Sequence, residues 1–258
     1  MKRGIAACIG VCVVAIVAAL LFARQRASDQ PVATYAAPAF CSQSDVVKAE
    51  AGVPLLSPST SQVTVPGNEP KIIASVNGED ITAAQLETMV NYATYSNRTA
   101  LANLGPNAPA SLKTMLSQST AQIRQRMLTA LIDNAVWLNV GKASGLYASE
   151  ASAKAATAQS LSVIQQAPVN DPARVQFEAN LCANHLTEAT FPTDPRVIQR
   201  TRDTLTVAAA RRQFSATLSP AVQQNAASVQ AALNAYVQSL WAQNNVHIYL
   251  PGFAPLRT

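Results

Sequence analysis

Cys182-Ala-Asn-His185 is the only close cysteine–histidine pair in the chain, and thiolate nucleophilic or metal chemistry is what such a pair could do. A tetrahedral metal site needs four ligands at about 2.0–2.3 Å. No second pair completes one; His247 and Cys41 are the distant remainder, so these residues read as a helix surface and no metal is expected. A serine nucleophile has no Gly-x-Ser-x-Gly elbow to sit on, and only two histidines, His185 and His247, could act as its base. Asp171-Pro172 and Asp194-Pro195 read as helix starts with proline in the first turn. Asn97-Arg98-Thr99 has the form of a glycosylation sequon and reads as a loop, while Arg211-Arg212 reads as a solvated helix end. The chemistry-bearing residues define no catalytic constellation and call for no cofactor.

The elements around these residues are more informative. Ile72, Ile73 and Val76 lead into Asn77-Gly78, a dipeptide that tolerates positive φ angles, and Thr82 with Gln85 fits a capping box. The order is strand, tight turn, helix. No glycine occurs between Gly145 and Gly252, and this interval is rich in Ala, Gln, Leu and Arg, which favours helices separated by proline-marked breaks. Helices are expected from Thr82 to about Ser96, from about Ser111 to Lys142, from Ser149 to Gln166, from Ala173 to His185, from Pro195 to Thr217 and from Pro220 to about Gln243. Val222, Ala226, Val229, Leu233, Val237 and Leu240 form an apolar seam along the last. Val246–Leu250 alternates and is β-rich, so the economical arrangement pairs it with Ile72–Val76.

The N-terminus carries the targeting signal. Lys2 and Arg3 precede an uncharged apolar run from Gly4 to Phe22, 19 residues long and closed by Arg24 and Arg26. That is about the length a helix needs to cross a bilayer core. A cleaved signal peptide has a shorter apolar core of about 7–15 residues and a small-x-small site. An uncleaved anchor over 1–26 is the preferred reading, with the main domain extracytoplasmic, and cleavage with secretion is the alternative. The flanking charges give a small bias toward an inside N-terminus. Ile5-Ala6-Ala7-Cys8 lacks a preceding apolar region and is no lipoprotein box; Cys8 and Cys12 read as packing residues of the run.

Setting aside the four cations that flank the run leaves a formal charge of +1 against the 14 acidic residues, so no nucleic-acid footprint remains. Residues 27–70, punctuated by proline, read as an extracytoplasmic linker with a brief helix near Asp45–Ala51. A helical domain follows over 71–251, with a short tail at 252–258. Cys41 and Cys182 both lie in the exported part, where an oxidising compartment permits a disulfide. Such a bridge would tie linker to body, but sequence does not say whether the two sulfurs meet.

Val76, Asn77, Gly78, Ile81, Thr82 and Leu86 resemble the "V-N-G-x-x-I-T-x-x-x-L/F" opening of the SurA-type chaperone domain. The Met127–Leu146 segment is similar to that family's "L-I-x-x-x-L-x-x-x-x-A-x-x-x-G-L" helix through Leu131, Ile132, Val136 or Trp137, Ala143, Gly145 and Leu146. The Trp241–Tyr249 ending is loosely similar to its closing helix and strand. The resemblance implies a mainly α fold with a short terminal β-strand pair. It also implies a holdase that binds unfolded or nascent exported polypeptides without a cofactor. Many relatives in the SurA, PpiD and PrsA group insert a parvulin prolyl isomerase before the returning helix. Here Phe214–Val222 passes straight from one helix to the next, so isomerase activity is not expected. Met89, Tyr92, Tyr95, Met115 and Trp137 are the candidate client contacts, since methionine and aromatic side chains adapt to varied apolar partners. The competing reading is a non-catalytic scaffold that docks one dedicated envelope or membrane partner. Oligomeric state is left open.

Overall fold

The computed structural model describes residues 36–58, 63–104 and 108–253. In sequence order these hold a 3-10 turn (Ala39–Ser42), α1 (Ser44–Glu50), β1 (Ile72–Val76), β2 (Glu79–Thr82), α2 (Ala83–Ala102), α3 (Ala110–Leu116) and α4 (Thr120–Ala143). Then come α5 (Glu150–Gln165), α6 (Pro172–Ala183), a second 3-10 turn (Phe191–Thr193), α7 (Pro195–Ser215), α8 (Pro220–Gln223), α9 (Ala226–Ser239) and β3 (His247–Ile248). The fold is mainly helical, as expected. The Gly4–Phe22 run lies outside the described residues, among which no helix is long and apolar enough to cross a membrane.

Asn77 and Gly78, at φ 52° and 76°, turn β1 directly back into β2. Positive φ at both central residues is what a two-residue hairpin turn requires. Val76 pairs with Glu79 and Ala74 with Ile81, with an irregularity between Ile72 and Ala74. On the other side of β1, Ala74 pairs with Ile248 and Ser75 with His247, giving an antiparallel sheet in the order β2-β1-β3. The Tyr249 amide donates to the Ile73 carbonyl at 2.8 Å, and the Asn77 amide to that of Asn244 at 2.8 Å. The pairing of the first and last strands is as expected. β2 is a correction to the expected pair, because Glu79-Asp80-Ile81-Thr82 has one apolar residue and no alternation to announce a strand.

Two reciprocal caps set helix starts. The Gln85 amide donates to Thr82 Oγ1 while the Thr82 amide donates to Gln85 Oε1. Ser119 and Gln122 repeat this arrangement at α4. The second box breaks the single helix expected from Ser111 to Lys142 into α3 and α4, because it satisfies amides that a continuous helix would have bonded internally. Asn225, accepting from the Ser228 amide, likewise separates α8 from α9. Asn97, expected in a loop, lies within α2.

The described residues form two compact units, one from within 58–147 and 206–253, the other from 36–57 and 148–205. In the first, Ile73, Leu86, Leu128, Ile132, Val136 and Trp137 form the centre of a core shared with Val207, Leu233 and Val237. Arg124 of α4 bonds the carboxylates of both Glu69 and Glu87. Gly141 is buried where α4 meets the last part of α7: a Cβ there would lie 2.6 Å from Thr206 Cγ2 and 3.1 Å from its carbonyl oxygen. Thr206 is wholly buried and β-branched, so it has little room to retreat. Gly141→Ala is therefore expected to lower stability by about 1–2 kcal/mol, overpacking outweighing the gain in helix propensity. An unchanged or raised urea midpoint would contradict this.

The second unit draws on the stretch expected as linker. Val46 and Ala49 of α1 are buried against α6, and Cys41 is disulfide-bonded to Cys182 with Cα atoms 5.7 Å apart. Residues 148–205 group with 36–57 in this unit. A helix of seven residues is too short to persist alone; here burial and the covalent bond hold it.

Candidate binding surface

α2 and α3 carry three of the five expected contact residues into accessible positions. Tyr92 and Tyr95 are half-buried on α2, and Met115 on α3 is 52% exposed. α3 packs on α2 and buries none of its own residues, leaving Leu112 and Leu116 half-covered. This short helix thus leaves apolar side chains partly or largely open to solvent.

Met89 and Trp137 are placed differently. Met89 is 3% exposed and Trp137 is 1% exposed. The Trp137 ring packs at 6.0 Å from that of Phe214 and 5.5 Å from that of Tyr236, which stack on each other at 4.1 Å. Residues at helical spacing face either way, and these two face the core, so neither is available to a client in this arrangement.

Beside Trp137 lies a polar group that sequence reasoning did not single out. Trp241 Nε1 donates to Asp133 Oδ1 at 2.8 Å, and Arg211 Nη2 donates to Asn134 Oδ1 at 2.9 Å. The Arg211 guanidinium lies 5.9 Å from the Trp137 ring centroid. Arg211 is therefore half-buried in the unit rather than on the solvated helix end expected; Arg212 is exposed. Burial pushes Asp133 from its ordinary 3.8 up to about 6, against the opposing pull of the Trp241 hydrogen bond and the Arg211 charge. Burial also lowers Arg211, and Asp133 partly offsets this. The folded state thus holds a proton on Asp133 that the unfolded state releases between pH 3.8 and about 6. Stability from this group is greatest below that window and is lost as pH rises through it. Asp133→Asn keeps an acceptor for Trp241 without titrating. Across pH 4–7 the wild type is expected to lose stability relative to Asp133→Asn; a difference independent of pH would refute the assignment.

The remaining reactive residues are committed elsewhere. Cys182 is bonded to Cys41, so its sulfur is neither a thiolate nucleophile nor a metal ligand beside Glu50. His185 sits at φ 54° just past the end of α6, where the Leu186 amide returns to the Leu181 carbonyl at 2.8 Å. His247 is exposed on β3.

The described residues thus hold a strand-turn-helix opening, a closing strand returned to the same sheet, and a short helix with partly exposed apolar side chains. Residues 54–181 match the SurA-like N-terminal domain family. Domains of that family are chaperone-type and non-catalytic, and no match to a parvulin domain is found. No curated protein and no solved structure matches the sequence.

Proposed function

We propose that the protein is a membrane-tethered extracytoplasmic holdase that binds unfolded exported polypeptides through apolar contacts, without nucleotide, cofactor or isomerase chemistry. The observation that carries this reading is the match of residues 54–181 to the SurA-like N-terminal domain family. The accessible Tyr92, Tyr95 and Met115 supply adaptable apolar contacts of the kind weak, promiscuous binding uses. The tether is the apolar run Gly4–Phe22, read from sequence.

The test is aggregation of two unrelated denatured proteins at stoichiometric chaperone and without nucleotide. It should use residues 36–258, because a fragment beginning at the expected domain start would discard α1 and the Cys41–Cys182 bond. Suppression of both aggregations is expected. Replacing Met115 by serine should weaken suppression while moving stability by less than about 0.5 kcal/mol, as is usual for an exposed site. Failure to protect either protein, from a folded preparation, would remove the general holdase reading and favour a scaffold for one dedicated envelope partner.

A further inference from the structure

The unit built from 36–57 and 148–205 holds its own N-terminal strap in the manner of a bound peptide. Leu56 is buried in an apolar core cluster with Ile164, Phe177, Leu181, Leu186, Phe191 and Val197. Within it Phe177 and Phe191 meet edge to face at 5.0 Å. Asn184, only 4% exposed, accepts a hydrogen bond from the Leu56 amide at 2.6 Å through Oδ1. Its Nδ2 reaches the Pro54 carbonyl at a longer 3.5 Å and donates to the Asn180 carbonyl at 2.9 Å. An asparagine amide facing both a backbone N–H and a backbone carbonyl engages an extended polypeptide whatever residues it bears. The apolar cluster around Leu56 then selects a single large residue. Generic polypeptide recognition combines these two features: backbone hydrogen bonds give affinity and a pocket gives the anchor.

We propose that this cluster is a polypeptide-binding site and that the strap Val53–Leu56 is its resident occupant, which an extended client segment bearing a leucine-like residue replaces. The inference rests on the polypeptide-binding reading above and names a site for it. Anchoring on both sides keeps the strap at high effective concentration: the polypeptide continues beyond Leu56, and Cys41 is bonded to Cys182 on α6. Breaking the disulfide removes one of these anchors and favours exchange.

The probe is a fluorescein-labelled peptide of residues 51–57, Ala-Gly-Val-Pro-Leu-Leu-Ser, with a control in which the leucine matching Leu56 is serine. Anisotropy titrations would use the full-length protein oxidised, the same protein reduced with dithiothreitol, and the oxidised Leu56→Ser variant. The reduced protein and the Leu56→Ser variant should bind the peptide at least tenfold more tightly than the oxidised wild type and tenfold more tightly than they bind the control. Adding Asn184→Ala to the reduced protein should cost at least tenfold. Equal binding of peptide and control, or binding indifferent to Asn184, overturns the site. So does loss of helical circular dichroism in both the reduced protein and Leu56→Ser, because a replaceable occupant leaves its host folded. Aggregation assays on the same preparations separate the two readings. Suppression without selective peptide binding sinks the site alone, whereas selective binding without suppression sinks the holdase and leaves the site.

Discussion

Replacing Trp137 by alanine is expected to lower stability by about 3–5 kcal/mol, the range for deleting a large buried aromatic group. The ring is wholly enclosed in the sheet-containing unit, against Phe214, Tyr236 and the Arg211 guanidinium. Its removal leaves a void that neighbours on α4, α7 and α9 cannot fill without giving up their own packing. It also uncovers one side of Arg211, already poorly solvated through burial. Urea denaturation followed by circular dichroism measures this directly. A loss below about 1 kcal/mol, with aggregation suppression abolished, would mean that Trp137 meets clients after all. The expected pattern is the reverse: Trp137→Ala acts through unfolding, and Met115→Ser acts through binding at nearly constant stability.

The second large effect belongs to the disulfide. Cys41 and Cys182 are 141 residues apart, so cross-linking them removes much of the freedom of the unfolded polypeptide. In the loop-entropy account a closure of that size stabilises by about 5 kcal/mol, and measured losses on removing native bridges run about 2–5 kcal/mol. The Cys41→Ser/Cys182→Ser double variant should fall in that range by guanidinium denaturation. The loss should be concentrated in the unit that holds α1, with hydrogen exchange at Val46–Glu50 rising furthest. Exchange there no faster than in the wild type would show that packing on α6, rather than the covalent bond, holds the segment.

How much of this was legible in the sequence depends on the range of the interaction concerned. Asn77-Gly78 and the Thr82–Gln85 cap could be read because their physics is local: positive φ, and two amides satisfied within four residues. The same kind of signal was present at Ser119 and Gln122, where it marks the break between α3 and α4. There the continuous apolar spacing masked it. β2 carried too little pattern to be read, since its place comes from hairpin register and not from its own residues. The five candidate contacts shared one composition argument, and composition does not say which face of a helix meets the core. Packing put Trp137 and Met89 inside and left Met115 out.

The sequence by itself determined the helical class, most helix limits and the return of the last strand to the first, which follow from periodicity, capping and turn chemistry acting over a few residues. The family came from the resemblance carried by Val76–Leu86 and Met127–Leu146. Only the tertiary structure decided that Cys41 meets Cys182, that Asn184 holds the Leu56 backbone, and that Asp133, Trp241 and Arg211 share one buried corner. Each of these joins residues far apart in sequence, and which such groups meet is settled by how whole elements pack, a property no local stretch of sequence encodes.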